Sequence, residues 1–255
     1  MLGVARASPG AVPCAAGGGR RVRRGVLRTR VAPEALAVLD AKCNAEVAAP
    51  PRVAAQARRL ADACASVDDF SHSIVMNLES SMGGCRALAA KAIPSTALGA
   101  AGLREALAED IEDSVLLYGS LVGEHVVRAT LTKASAATCS RWHVDHVRLR
   151  GLRFFVGPGS EFIKPGSSLT AGLVSRASSR GGNVLADTLK RFIRRKHVVQ
   201  ATEGSLLWLK GSEWEGNRHN AVVHRSPAHL GDRGFRLFLT LDCMRPAPPN
   251  THHHV

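Results

Sequence analysis

Apolar and polar residues alternate along several short segments in the second half of the chain. A period of two is typical of β-strands with one buried face. It predicts strands at 125–131, 142–145, 149–156, 205–209, 221–224 and 235–242. In the last segment the pattern places Leu237, Leu239 and Leu241 on one face and Arg236 on the other, because side chains alternate along a strand. Several short strands of this kind predict an antiparallel barrel.

The first half of the chain has the apolar spacing of helices. It predicts helices at 34–47, 52–65, 70–82 and from 97 or 103 to about 118, and a later helix at 183–197. Asp68 and Asp69 precede Phe70 as acids often do in a first helical turn, and Gly83-Gly84 would end that helix. The predicted fold class is therefore α+β, with an N-terminal helical layer packed on a C-terminal antiparallel barrel.

Four regions follow from these patterns. Residues 1–32 form an extension, 33–122 a helical support region, 123–245 the β-barrel and 246–255 a flexible tail. The extension contains seven arginines and no acid, so it is either disordered or an organellar transit peptide. We expect an intracellular protein, in the cytoplasm or, if the extension is a transit peptide, in a mitochondrion or plastid. No run of 18 apolar residues occurs, which predicts no membrane span.

The formal net charge of +13 falls to +6 without the first 33 residues, so a solvated surface explains it and a nucleic-acid partner is not expected. The six cysteines are scattered and include no Cys-x-x-Cys pair, which excludes a zinc finger and a disulfide framework. We interpret them as reduced thiols.

His143-Val144-Asp145 is the most informative motif of the chain. On an extended strand His143 and Asp145 point to the same side, and they are two of the three ligands of a 2-His-1-carboxylate iron site. His224, after a later apolar segment, is placed to supply the third ligand. His146 is one residue out of phase and should point away. The other interpretation of the motif is a His and an Asp at a strand edge that only form hydrogen bonds.

Four segments together resemble the DUF1826 family: 139–162, 206–214, 224–227 and 236–242. The resemblance covers roughly residues 60–245 and is densest after Cys139. It implies a cupin-like double-stranded β-helix, the barrel of Fe(II)- and 2-oxoglutarate-dependent oxygenases.

The resemblance makes a non-heme Fe(II)- and 2-oxoglutarate-dependent oxygenase the leading functional hypothesis, with Zn or Mn as possible metals. His143, Asp145 and His224 would hold the metal. Arg236 would bind the 2-oxoglutarate carboxylate through its planar fork of donors, unless an internal acid such as Glu161 or Asp242 pairs with it.

The alternative hypotheses are a cupin-like protein that binds metal without turnover, in metal sensing, storage or trafficking, and a barrel used as an interaction module. By strand parity, Arg148 and Arg150 should face away from the site unless a bulge intervenes, and Arg225 should face the other side of its strand from His224. The substrate, a small molecule or a protein, is not identified by the sequence, and neither is the oligomeric state.

Overall fold

The computed structural model describes the backbone of residues 45–48 and, in full, residues 57–164, 197–217 and 220–244. The predicted extension (1–32), nearly all of the predicted loop and helix between 164 and 197, and the predicted tail (246–255) lie outside the described residues.

Helices and strands are both present, which confirms a mixed α and β class. The helices are α1 (Ala57–Ala65), α2 (Met82–Ala92) and α3 (Ala100–Val122), and a 3-10 turn spans Leu78–Ser80. The strands are β1 (Ala45–Ala48), β2 (Phe70–Asn77), β3 (Val126–Ala134), β4 (Leu149–Val156), β5 (Glu161–Ile163), β6 (Val198–Gln200), β7 (Leu206–Lys210), β8 (His224–Arg225) and β9 (Arg236–Cys243). No described helix has the length and apolar character that a membrane crossing requires.

Two antiparallel sheets organise the described strands. The larger has the order β1-β7-β4-β9-β3-β2 and the smaller has the order β6-β5-β8. The larger sheet separates two apolar clusters. Leu237, Leu239 and Leu241 pack on the helical side, whereas Phe238 packs with residues of both sheets, including Phe162. The alternation predicted for the last strand is therefore confirmed.

Helix α3 joins the helical layer to the larger sheet. Its buried residues Leu103, Leu107, Ile111 and Val115 recur every four positions, so they form one stripe along the helix. One turn further on, the buried Tyr118 hydroxyl donates to the carbonyl oxygen of Leu149 at 2.7 Å. This bond fixes the start of β4, the strand that leads away from the predicted metal motif.

The helix predicted at 70–82 is wrong, because Phe70–Asn77 forms strand β2. Its residues alternate in exposure: Ser73 is exposed, while Met76 is buried. This alternation is the pattern of a strand with one buried face, here paired with β3. Gly83 and Gly84 lie inside α2 rather than after a helix. At Gly84 an added Cβ would come within 3.1 Å of the Met76 side chain, so this glycine allows α2 to approach β2 closely.

Three further predictions need correction. Within the helix predicted at 34–47 the described part, from Ala45, is strand β1, which pairs with β7. Only His224 of the predicted strand 221–224 belongs to β8. The segment 142–145 is not a strand; of these residues only His143 forms a β-bridge, with His224.

Candidate metal centre

A short β-bridge brings the two predicted histidines together. The His143 N–H donates to the His224 carbonyl oxygen at 3.0 Å, and the His224 N–H donates to the His143 carbonyl oxygen at 2.9 Å. Their imidazole rings lie 4.3 Å apart, centroid to centroid. These two residues, which are distant in the sequence, are thus neighbours because the backbone pairs them directly.

Asp145 completes the cluster. Its Oδ2 lies 3.3 Å from His224 Nε2, and its Oδ1 lies 3.7 Å from His143 Nε2. One potential ligand atom from each of the three residues lies within 4.8 Å of the others. The structure therefore brings together all three of the residues that the sequence suggested as metal ligands.

Backbone carbonyls orient both imidazoles. His143 Nδ1 lies 2.9 Å from the carbonyl oxygen of Arg141, and His224 Nδ1 lies 3.1 Å from that of Val222. A carbonyl oxygen can only accept a hydrogen bond, so each Nδ1 must carry the proton. In the neutral form of each ring Nε2 then presents a lone pair towards Asp145, which is how metal-binding histidines are usually oriented.

One oxygen of Asp145 is buried without a hydrogen-bond partner. Arg150 Nη1 donates to Oδ1 at 2.9 Å, whereas Oδ2 makes no hydrogen bond and its distance to His224 alone does not constitute one. A buried carboxylate oxygen without a donor is unfavourable unless a cation meets it. The donor set of two imidazole nitrogens and this oxygen therefore suits a divalent metal.

The electrostatics of the cluster favour a neutral His143 beside an ionised Asp145. Burial alone would raise the pKa of Asp145, but the positive charge around it, including the Arg150 guanidinium, holds that pKa well below its usual range. Burial and the neighbouring His224 lower the pKa of His143. A neutral imidazole and an ionised carboxylate are the forms in which His143 and Asp145 bind metals.

A loop after β7 fixes the backbone that carries Asp145. The N–H of Ser212 donates to the Asp145 carbonyl oxygen at 2.9 Å, and the N–H of Glu213 donates to that of Val147 at 3.1 Å. Gly211 allows this approach, because a Cβ there would come within 2.7 Å of the Asp145 carbonyl oxygen and would overlap that of Val147.

Arg236 lies on the face of β9 that is turned to the smaller sheet, and it is only 2% exposed. Its Nη2 donates to Thr138 Oγ1 at 2.8 Å and to Ser226 Oγ at 2.9 Å, and its guanidinium stacks on Phe238. Its Nε and Nη1 are buried without a hydrogen-bond partner. Burial lowers the pKa of Arg236 to about 10.

Glu161 and Asp242, the internal acids suggested as alternative partners of Arg236, bind other arginines. Glu161 Oε2 accepts from Arg225 Nε at 2.7 Å, and Asp242 binds Arg150 through both of its oxygens. Among the described residues, no carboxylate forms an ion pair with Arg236.

The prediction that Arg150 faces away from the site is wrong, since its guanidinium contacts Asp145. Strand parity failed because the chain between 142 and 148 is irregular. Arg148, by contrast, is half exposed beside Glu124, and Arg225 contacts Glu161, next to Phe162 on β5. His146 Nδ1 lies 3.0 Å from the Ser212 hydroxyl.

Thr138, Ser226 and Arg150 are the site residues that the sequence analysis missed. Of these three, only Ser226 could have been suggested by the sequence, because it follows His224 by two residues and residues two apart on an extended segment point to the same side. The other two come near the site through strand pairing and loop packing, which no local pattern indicates.

The chain belongs to the family described as DUF1826, protein of unknown function, whose model matches residues 33–242. Among curated proteins no relative matches the chain.

Solved structures with some similarity include the Fe(II)/α-ketoglutarate-dependent dioxygenase TqaL, at 9% identity and a TM-score of 0.47, over 91% of this chain and 92% of that one. Another is a Neurospora crassa protein in its C-terminally truncated apo form, at 12% identity and a TM-score of 0.35, over 90% and 80% of the two chains. The full-length form of that Neurospora crassa protein, in complex with α-ketoglutarate, matches at 11% identity and a TM-score of 0.32, over 91% and 71%. Similarity at these values identifies no ligand and no reaction for this chain.

Proposed function

We propose that this chain is a non-heme Fe(II)- and 2-oxoglutarate-dependent oxygenase whose metal is held by His143, Asp145 and His224. The observation that carries the proposal is the convergence of His143 Nε2 and His224 Nε2 on the carboxylate of Asp145, whose Oδ2 has no hydrogen-bond partner. Bound Fe(II) would supply the redox chemistry by which oxygen is activated.

The number of protein ligands favours a catalytic centre over a structural one. Structural zinc sites usually have four protein ligands, whereas catalytic sites keep positions for water or substrate. The described residues offer three ligands, and a 2-His-1-carboxylate set with open positions is typical of Fe(II) oxygenases.

The surroundings of Arg236 support the proposal that an acidic co-substrate binds there. A buried guanidinium with two unused donors is costly, and an anion would offset that cost. A carboxylate accepts charged hydrogen bonds from a guanidinium. The hydroxyls of Thr138 and Ser226 occupy Nη2, so Nε and Nη1, which lie on different edges of the guanidinium, remain as single donors for a ligand. These contacts support 2-oxoglutarate, an acid with one carboxylate to bind at this arginine and another group for the metal.

The strand order supports a double-stranded β-helix. Four neighbouring strands of the larger sheet, β3-β9-β4-β7, lie opposite a smaller set formed by the His143 bridge followed by β8-β5-β6. Phe238 and Phe162 pack together between the two sheets. Two facing sets of four antiparallel segments are the arrangement that we propose for the barrel.

The test is anaerobic metal loading of the purified protein, followed by measurement of 2-oxoglutarate consumption with Fe(II) and oxygen. We expect one Fe(II) per chain and slow consumption of 2-oxoglutarate without added substrate. His224→Ala should weaken metal binding by more than about 100-fold, since it removes a ligand outright. His125→Ala is the matched control, because this histidine is exposed.

Two results would contradict the proposal. If His224→Ala binds metal as tightly as the wild-type protein, the three residues are not the metal site. If the wild-type protein binds metal at these residues but neither binds nor consumes 2-oxoglutarate, it is a metal-binding protein without oxygenase activity.

A further inference from the structure

Arg150 connects the metal cluster to the end of β9. Its Nη1 donates to Asp145 Oδ1 at 2.9 Å, while Nε and Nη2 donate to Asp242 Oδ1 and Oδ2 at 2.9 and 3.2 Å. Arg150 and Asp242 are paired residues of the β4–β9 ladder, so the bidentate contact is built into the sheet. The guanidinium is therefore fixed in orientation before it meets Asp145.

The contact makes the two oxygens of Asp145 unequal. Oδ1 accepts a charged hydrogen bond from Arg150, whereas Oδ2 lies 3.3 Å from His224 Nε2 and has no donor. A carboxylate can bind a metal through one oxygen or through both. Oδ1 already shares a lone pair with the guanidinium, whereas Oδ2 keeps both of its lone pairs for a metal.

We propose that Arg150 is a positioning residue that restricts Asp145 to a single-oxygen ligand and thereby keeps a coordination position open for the co-substrate. This inference rests on the proposed function. Two histidines and one oxygen leave three of six positions open, whereas a carboxylate bound through both oxygens would leave two. A chelating acid and oxygen together need three.

Asp242 acts through Arg150. It binds two of the three nitrogens of the guanidinium, so that the third points at Asp145. Removal of Asp242 should therefore weaken the same function less than removal of Arg150, because the Arg150–Asp145 bond can persist without the brace.

The experiment uses the full chain loaded with Co(II), whose visible absorption reports the number of ligands and changes when an acid chelates the metal. Dissociation constants for Co(II) and for 2-oxoglutarate are measured separately in wild type, Arg150→Ala, Arg150→Lys and Asp242→Asn. Arg148→Ala is the matched control. Arg148 is a half-exposed arginine directly before β4, and its Nη1 lies 3.8 Å from Glu124 Oε1.

We expect Arg150→Ala to weaken 2-oxoglutarate binding by about tenfold or more. Losses of this size are typical when a residue that forms a hydrogen bond to a metal ligand is removed. The affinity for Co(II) should change less, because both histidines and Asp145 remain. Arg150→Lys should restore part of the affinity for the acid, since an ammonium can donate one bond to Oδ1. A residue that only stabilised the fold would lower both affinities together and would not alter the Co(II) spectrum.

The inference is overturned if Arg150→Ala binds 2-oxoglutarate as the wild type does, or if its Co(II) spectrum is unchanged. If Arg150→Ala does not fold, Arg150→Lys and Asp242→Asn provide the test. Affinities of these two variants for 2-oxoglutarate that equal the affinity of Arg148→Ala would contradict the proposal. A wild-type protein that binds Co(II) but no 2-oxoglutarate contradicts the proposed function instead, and the spectrum of Arg150→Ala still shows whether Asp145 gains a second metal bond.

Discussion

Arg236 offers a sharp test, because its functional and its structural role predict opposite changes in stability. The side chain is buried with two nitrogens unpartnered, and no described carboxylate forms an ion pair with it. Arg236→Met removes the charge and keeps much of the apolar length. If Arg236 is present to bind an acid, the variant should lose that acid without loss of stability.

The magnitude follows from the pKa. Burial lowers the pKa of Arg236 from its usual value to about 10, and a shift of this size corresponds to about 3 kcal/mol against the charged form in the folded state. Because the folded pKa lies below the unfolded one, this penalty is present in full below about pH 10.

The variant also loses the hydrogen bonds to Thr138 and Ser226, each of which contributes about 1 kcal/mol. Those hydroxyls already lie 3.0 Å apart and can bond to each other. We therefore expect the metal-free variant to be as stable as the wild type or more stable by about 1 kcal/mol.

The assay is urea unfolding at about pH 7.5 in the presence of a chelator, with 2-oxoglutarate binding to the Co(II) form measured beside it. The acid should no longer bind to Arg236→Met, while Co(II) affinity is retained. The reasoning is refuted if the variant loses about 3–5 kcal/mol, as happens when a buried ion pair is broken, and still binds the acid.

Two further predictions concern the surroundings of the site. Gly211→Ala should lower the stability by about 1–3 kcal/mol and weaken metal binding, because the new methyl group displaces the backbone of Asp145; unchanged affinity in a metal titration would contradict this. At about pH 8.5 a thiol reagent should label the exposed Cys139 long before Cys64 and Cys85, as peptide mass spectrometry can measure. Burial raises the pKa of both buried thiols to about 12, so their thiolate fraction is about three orders of magnitude smaller than that of a thiol with the ordinary pKa of 9.0. Equal labelling rates for the exposed and the buried cysteines would contradict this prediction and would show that the core opens readily.

The net charge of +13 illustrates what composition can and cannot predict. Residues 57–164, 197–217 and 220–244 together contain 16 lysines and arginines and 17 aspartates and glutamates. The described part of the chain is thus nearly neutral, and its arginines at the site are individually paired or buried. The excess of positive charge is therefore no argument about the chemistry of the metal centre.

The sequence predicted best those elements in which the apolar repeat continues long enough to distinguish a strand from a helix. The segment 149–156 is strand β4, the last segment is β9 with one residue of shift, and the helix near 100–118 is α3. In the stretch from Phe70 the sequence contained both a strand period and helix-like acids, and only its pairing with β3 decided in favour of the strand.

By itself, the sequence determined which residue types were available for chemistry: a His-x-Asp motif, a distal histidine and an arginine within an apolar strand. It also determined the alternation that turns Arg236 to the inner side of β9, because side-chain direction on a strand is a local property. Only the tertiary structure decided that His143 and His224 face each other, since their bridge joins distant segments. The same holds for Arg150, whose place beside Asp145 depends on an irregular turn and on the register of β4 with β9. Contacts of this kind depend on where the backbone returns in space, and neither a local period nor a motif contains that information.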